Sequence, residues 1–211
     1  LFRSVVAGRT DAGVHAAGQV VSFTRAGGPP TDALQRALND LLPEDIAVLG
    51  AEDAPDDFSA RFSAVSRSYA YDVLLAPLRD PLRAFRELHE PRPVDRALLD
   101  AFAALIVGEH DFTAFTPAET QHRTFTRTVH AAEWVDTDRG LQFRITANAF
   151  LRHMVRFLVG TMLDVATGRR PRADLTALLA AATNDEVSPP APASGLTLDA
   201  VIYPRHLYLT A

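Results

Sequence analysis

Residues 127–147 are the most informative segment for the architecture of this chain: Arg127-Thr-Val-His-Ala-Ala-Glu-Trp-Val-Asp-Thr-Asp-Arg-Gly-Leu-Gln-Phe-Arg-Ile-Thr-Ala147. Two extended runs, residues 127–135 and 141–147, flank a turn-forming run at residues 136–140. In the second run, apolar Leu141, Phe143 and Ile145 alternate with polar residues, which is the pattern of a strand with one buried face. The segment therefore predicts a long antiparallel β-hairpin.

Helical and extended patterns alternate along the rest of the chain. The strongest predicted helix is 151–166, where apolar residues recur on one stripe; a second begins at Asp95, and a third follows Thr31, a candidate N-cap. We also predict a shorter helix at 174–182 and strands at 19–23, 46–49, 68–75 and 196–203. Long antiparallel strands with intervening helices predict an α+β fold, with two similar halves that divide around residues 77–94.

The composition excludes several classes of protein. The chain has 211 residues, of which 47% are hydrophobic and 22% charged, as is typical of a folded globular protein. It has no cysteine, which excludes disulfides, thiolate nucleophiles and sulfur-ligated metal centres. No apolar run approaches the roughly 18–20 residues that a membrane span needs, so we expect a cytoplasmic protein with no membrane association. The net charge is −5, yet all 21 basic residues are arginine, and local arginine clusters can still bind a polyanion.

The densest run of small and polar residues is Gly8-Arg-Thr-Asp-Ala-Gly13. The two glycines permit a tight turn and the close approach of a ligand, and a carboxylate beside such a turn, here Asp11, could be a tuned catalytic group. Other interpretations are open from these residues alone. The glycine spacing matches half of a phosphate-binding loop, although the lysine of that motif is absent. The run Asp11-Ala-Gly13 is similar to the triplet of aspartic proteases, whose second copy would have to come from a homodimer. A plain turn with a solvated aspartate is the simplest interpretation.

Three longer blocks occur in order along the chain. They are Gly8-Arg-Thr-Asp-Ala-Gly-Val-His-Ala16 with Gly18-Gln-Val-Val21, Asp57-Phe-Ser-Ala-Arg-Phe-Ser-Ala64 with Arg67-Ser-Tyr-Ala-Tyr71, and Asn148-Ala-Phe-Leu-Arg-His-Met-Val-Arg156 with Gly160. Together they resemble the tRNA pseudouridine synthase A family. Residues 109–115 and Gly195-Leu196 fit the same family, so the resemblance covers the chain nearly end to end.

The resemblance implies an isomerase, a tRNA pseudouridine(38-40) synthase that converts uridine to pseudouridine at positions 38, 39 and 40 of the tRNA anticodon stem-loop. It makes Asp11 the catalytic nucleophile, with Arg156 and Tyr69 as further catalytic residues. Tyr69, Arg9 and Leu196 would bind the substrate, and Arg9 would help to drive the target base out of the stack. The implied fold has two ferredoxin-like halves, residues 1–80 and 81–211, with joined antiparallel sheets and a catalytic cleft between them. The implied enzyme is a homodimer that binds tRNA and uses no cofactor and no metal.

The chemistry explains why such residue types are needed. Uracil must leave the sugar C1′ through N1, rotate, and rejoin through C5. A carboxylate could attack C1′, assist formation of a glycal or add to C6, and the sequence leaves these routes open. Each route needs an ionised aspartate, which an arginine ion pair favours, and each needs the base outside the stack. We therefore expect contact between Asp11 and Arg156, with Tyr69 over the uracil face, where it can relay the C5 proton. His15 and His153 are interpreted as structural.

Two other classes of function stay open. A module that binds RNA without catalysis would have no use for a desolvated Asp11, and a hydrolase with Asp11 as general base would want a second acid or a metal ligand nearby. The resemblance further implies that a strand and a helix precede the catalytic turn. We therefore expect a natural protein about 40–50 residues longer at its N-terminus, and a chain that starts at Leu1 to be poorly soluble or inactive.

Overall fold

The computed structural model describes residues 4–120, 122–172, 174–180, 183–204 and 207. The described strands are β1 (Val5–Val6), β2 (His15–Ala16), β3 (Val21–Ser22), β4 (Ser66–Leu74), β5 (Leu88–His89), β6 (Gly108–Asp111), β7 (Thr126–Thr137), β8 (Gly140–Ala147) and β9 (Leu196–Ile202). The described helices are α1 (Thr31–Asn39), α2 (Arg96–Leu105), α3 (Met154–Ala166) and α4 (Asp174–Leu178). Short 3-10 turns lie at Pro81–Arg83, Thr113–Phe115, Asn184–Glu186 and Ala193–Gly195. This content confirms the predicted α+β class.

The chain folds into two compact units. Unit 1 comprises Leu1–Gly8, Val20–Val65 and Ile202–Ala211, and unit 2 comprises Arg9–Gln19 and Ser66–Val201. In unit 1, β1 pairs antiparallel with β3, with Val5 opposite Ser22 and Val6 opposite Val21. The ferredoxin-like character of two halves, and their boundary at residue 80, stay predictions.

Unit 2 is built on a mixed seven-stranded sheet. The strand order is β2-β9-β4-β8-β7-β6, and β5 also pairs with β4. β2 runs parallel to β9, and β5 parallel to β4, whereas β4, β8, β7 and β6 pair antiparallel in that order. β7 and β8 form the predicted hairpin. Tyr69 lies opposite Ile145 and Tyr71 opposite Phe143, so alternate residues of β4 and β8 share one buried face.

Helix α3 lies in the middle of the core of unit 2. Ten of its 13 residues are buried, because it packs against α2 and the neighbouring core rather than presenting one face to water. α2 begins at Arg96, one residue after the predicted start; Asp95 is its N-cap, and the Asp95 side chain accepts a hydrogen bond from the backbone N–H of Leu98. A functional side chain on α3 is therefore held by a rigidly packed helix.

Hydrogen bonds from α1 explain why one predicted strand is wrong. Residues 46–49 do not form a strand, because the Val48 N–H donates to Asn39 Oδ1 at 2.7 Å and the Val48 carbonyl accepts from Asn39 Nδ2 at 3.0 Å. Thr31 is also not the N-cap of α1. Pro30 occupies that position, and the Thr31 hydroxyl donates instead to Asp53 at 2.8 Å.

Other element bounds differ from prediction by a few residues. α3 begins at Met154 rather than at residue 151, because His153 has a φ of 62° and cannot continue a right-handed helix. The strand predicted at 19–23 is shortened to β3, and that at 196–203 ends at Ile202. In the helix predicted at 174–182, residues 181 and 182 lie outside the described residues. In the part of the chain described, no helix combines the length and apolar composition needed to cross a membrane.

Candidate active site

A tight turn in unit 2 presents Asp11. The Asp11 carbonyl accepts a hydrogen bond from the Val14 N–H at 3.0 Å, and Gly13 has a φ of 83°. A positive φ at the third residue is what a type II turn requires, so glycine is the residue type suited to this position. β2 follows directly and pairs with β9, His15 opposite Thr197. The turn is thereby anchored to the sheet just after the carboxylate.

The Asp11 carboxylate contacts two side chains from the start of α3. Its Oδ2 lies 2.8 Å from Nη1 of Arg156, and its Oδ1 lies 3.2 Å from Nε2 of His153. The contact with Arg156 is the one expected from the sequence. The side chains of Asp11, His153 and Arg156 are 29%, 21% and 15% exposed, so the group is partly shielded from water and still open to a ligand. Charge-assisted hydrogen bonds are strengthened by such shielding.

Arg156 is held from its other side by the loop before β9. Its Nε donates to the Ala191 carbonyl at 2.7 Å, and the Ala191 N–H donates to the Arg156 carbonyl at 3.0 Å. The guanidinium therefore bridges the loop and the carboxylate through two different nitrogens. This arrangement fixes the orientation of Arg156 in a way that a single-point contact would not.

Tyr69 lies near this group on β4. Its ring packs edge-on against Phe150, with centroids 5.0 Å apart. Burial raises the pKa of Tyr69 to about 12, the Asp11 charge adds to that rise, and Arg67 opposes it. The phenol is thus protonated at neutral pH. Tyr71, two residues along β4, is fully buried and donates its hydroxyl to the Pro192 carbonyl at 2.8 Å, which is a structural role.

The other two predicted substrate-binding residues, Arg9 and Leu196, occupy different environments. Arg9 is exposed, two residues before Asp11. Leu196 is 6% exposed and belongs to the hydrophobic core at the first position of β9. Contact of either residue with substrate stays a prediction, as do the catalytic roles of Asp11, Arg156 and Tyr69.

His153 is the site residue that the sequence analysis missed. Its interpretation as structural did not place it at the site, whereas its ring contacts Asp11. The available signal was its place in the family-like block 148–156, three residues before Arg156. His15 does have a structural contact, between Nε2 and the Phe85 carbonyl at 2.7 Å. Among the described residues, no group of three or more His, Cys, Asp or Glu side chains is placed to hold a metal ion.

Comparison with known proteins identifies the family. A family model described as tRNA pseudouridine synthase matches residues 1–63 and 102–204. The chain is 41% identical to tRNA pseudouridine synthase A of Bacillus licheniformis over 199 residues, 94% of this chain and 81% of that protein. It is 42% identical to the enzyme of the same name from Chromobacterium violaceum over 203 residues, 96% of this chain and 78% of that protein. The Bacillus subtilis protein of that name is 40% identical over 199 residues, covering 94% of this chain and 81% of that protein.

The chain belongs to the tRNA pseudouridine synthase family. Membership confirms the resemblance found in the sequence and the prediction of an isomerase, and the mixed sheet with few helices is consistent with the pseudouridine synthase fold. Asp11, His153, Arg156 and Leu196 lie in the matched ranges of this synthase. Tyr69 lies between those ranges.

Proposed function

We propose that this chain isomerises uridine to pseudouridine in the anticodon stem-loop of tRNA, at positions 38, 39 and 40, with Asp11 as the nucleophile. The observation that carries the proposal is the Asp11 carboxylate with one oxygen on Arg156 and the other near His153. The family match and the names of the relatives support tRNA as the substrate. The anticodon stem-loop rests on the sequence resemblance.

The roles of the residues follow from what the reaction demands. The N1–C1′ bond of uridine breaks, the base turns, and C5 bonds to C1′; C5 loses its proton and N1 gains one. Asp11 would stabilise or bond the reacting centre by attack on C1′, by assistance to a glycal or by addition to C6. Arg156 would hold the carboxylate charged and oriented. Tyr69, protonated at neutral pH, would cover the face of the uracil. It would also relay the proton that leaves C5, because its hydroxyl oxygen can accept that proton while the hydroxyl releases its own.

The target nucleotide must leave the helical stack to reach Asp11, since its reacting atoms are inaccessible in a stem. Arg9, two residues before Asp11, and Arg152, four residues before Arg156, are exposed cations. Phosphate contacts from such residues supply most of the affinity for a nucleic acid, which makes RNA binding compatible with a net charge of −5. Leu196 would give the uracil an apolar neighbour. A homodimer and a cytoplasmic location stay predictions from the sequence.

The deciding experiment uses Asp11→Asn with Asp138→Asn as its matched control. Asp138 is exposed in the β7–β8 turn, and asparagine suits a turn equally well. Unmodified tRNA is incubated with each variant without cofactor or metal, and pseudouridine is mapped while tRNA binding is measured by filter retention. We expect Asp11→Asn to lose isomerisation and to bind tRNA within a few-fold of wild type, because the carboxylate acts in the transition state and phosphate contacts give most of the affinity.

Three results would contradict parts of the proposal. Turnover by Asp11→Asn above about a thousandth of wild type would exclude a nucleophile, since an essential group supplies on the order of 4 kcal/mol. Binding of tRNA by wild type with no pseudouridine formed would favour an RNA-binding module. Pseudouridine outside positions 38, 39 and 40 would correct the site within tRNA and leave the isomerase intact.

A further inference from the structure

His153 has an unusual backbone conformation at the entrance to α3. With φ 62° and ψ 2° it lies in the left-handed region, and it is the one non-glycine residue with positive φ in the described part of the chain. Side chains with a Cβ adopt this region rarely and at an energetic cost, and such residues cluster at functional sites. The surrounding structure must therefore hold His153 there.

Contacts on both sides hold the conformation. The N–H of the preceding residue, Arg152, donates to Nε2 of His122 at 3.2 Å, and the His153 carbonyl accepts from the Phe157 N–H at 3.0 Å. The imidazole also packs near the Phe157 ring, with centroids 6.2 Å apart. The result of this backbone turn is that Nε2 lies 3.2 Å from Oδ1 of Asp11.

The two contacts on Asp11 are not interchangeable. Arg156 binds Oδ2 alone, and a carboxylate held at one oxygen can still swing about its Cβ–Cγ bond, whose torsional preference is broad. A second donor at Oδ1 fixes the plane of the carboxylate. That plane decides which lone pair points at an incoming ribose or uracil.

The charge state of the ring suits this task. Partial burial lowers the pKa of His153 below its ordinary value; the Asp11 charge raises it, and the Arg156 and Arg152 charges lower it. The imidazole is thus neutral at neutral pH and carries one N–H. Nε2 lies 3.2 Å from a carboxylate oxygen; a proton on Nε2 would therefore be favoured there, and a neutral ring places no second full positive charge beside Arg156.

We propose that His153 is a positioning residue for the isomerisation: as the neutral Nε2–H tautomer it donates to Oδ1 of Asp11 and sets the plane of the carboxylate. The inference rests on the function proposed above. It predicts an effect on the chemical step rather than on tRNA binding, because His153 acts through Asp11 and not through phosphate.

The test separates the hydrogen bond from the backbone strain. His153→Gln and His153→Met are similar in length, and only the glutamine carries an N–H donor; His153→Gly relieves the positive φ and removes the ring. We expect kcat to fall about 10- to 100-fold in the Met and Gly variants with KM within about twofold, since a slight misplacement of a reacting group costs that much. The Gln variant should keep most of the wild-type kcat, because its side-chain amide can donate to Asp11. His130→Met, at an exposed position on β7, is the control and should keep the wild-type kcat.

Several outcomes would overturn the proposal. They are a wild-type kcat in the Met variant, a kcat near wild type in the Gly variant, or a kcat in the Gln variant as low as in the Met variant. A change in KM with an unchanged kcat would also overturn it. Nitrogen-15 NMR of the free protein gives a readout that does not depend on turnover, and we expect the Nε2–H tautomer of His153 at pH 7.5 with a shift of its ring signals in Asp11→Asn. The Nδ1–H tautomer would refute the hydrogen bond, and a protonated ring would refute the neutral donor, even in an active enzyme. A wild-type chain without turnover would overturn the proposed function and with it the kinetic half of this inference, while the NMR result would still decide the hydrogen bond.

Discussion

Replacing Arg156 by lysine keeps a positive charge on α3 but removes the two-point contact of the guanidinium. In the wild type, Nη1 donates to Asp11 at 2.8 Å while Nε donates to the Ala191 carbonyl at 2.7 Å. Lysine carries a single nitrogen at the end of a flexible chain, so it cannot occupy both positions. We expect the variant to fold, because the apolar residues of α3 are untouched, and to isomerise uridine slowly.

The size of the effect follows from the contact that is lost. A hydrogen bond to a charged group contributes about 1.5–3 kcal/mol. Asp11 is 29% exposed, so solvent screening favours the lower half of that range, about 1.5–2 kcal/mol. At about 1.4 kcal/mol per tenfold in rate, kcat should fall roughly 10- to 30-fold. Arg156→Gln removes the charge as well and should be slower than the lysine variant.

The assay follows the hydrogen that leaves C5. Transcribed tRNA with tritium at C5 of uridine releases tritium as pseudouridine forms, and single-turnover conditions with excess enzyme report the chemical step rather than product release. Arg96→Lys is the matched control. Arg96 also bridges two partners, Asp100 and Asp136, but on the exposed side of α2, where such ion pairs contribute only about 0–1 kcal/mol.

An Arg156→Lys rate above half of wild type would refute the reasoning, because the guanidinium geometry would then be dispensable. Equal losses in Arg96→Lys would trace the effect to general destabilisation. A loss of tRNA binding with an unchanged single-turnover rate would make Arg156 a phosphate contact instead.

Two further predictions concern Tyr69 and the Asp11 turn. A raised pKa means that folding favours the protonated phenol, so the contribution of Tyr69 to stability is complete below pH 10 and is lost as the pH rises toward its pKa of about 12. When the pH is raised from below 10 to 11.5, the free energy of unfolding, measured in urea, should therefore fall by about 2 kcal/mol less in Tyr69→Phe than in wild type. Equal losses in the two proteins would contradict this. Gly13→Ala should reduce the free energy of unfolding by about 1 kcal/mol, because of its φ of 83° and not because of crowding, since the added Cβ would meet only Ala193 at an ordinary 3.5 Å. Gly27→Ala, at φ 78° with open space around it, should lose similar stability and keep full turnover in the tritium assay, whereas Gly13→Ala should lose turnover as well.

The sequence alone predicted those features that short-range patterns control. Alternation along residues 127–147 predicted the β7–β8 hairpin, and the apolar stripe predicted α3, because strand and helix periods are read within one segment. The start of a helix at Asp95 was predictable because capping is a local hydrogen bond. The run around Asp11 and the block that ends at Arg156 identified the family, since each is contiguous in sequence. Where a local pattern competed with a distant partner, prediction failed, as at residues 46–49, whose backbone bonds to the Asn39 side chain.

Only the tertiary structure decided how the site is assembled. Asp11 and Arg156 are 145 residues apart in sequence, and their contact depends on the packing of α3 in the core and on the Ala191 loop, which no local pattern encodes. Tyr69 and Tyr71 cannot be told apart by their sequence pattern. In the folded chain, Tyr69 lies where the Asp11 charge acts on it, whereas Tyr71 donates its hydroxyl to the Pro192 carbonyl. His153 turns toward the carboxylate because its φ is positive. Such an angle is imposed by the contacts around a residue against its own preference, and for that reason the sequence by itself could not predict it.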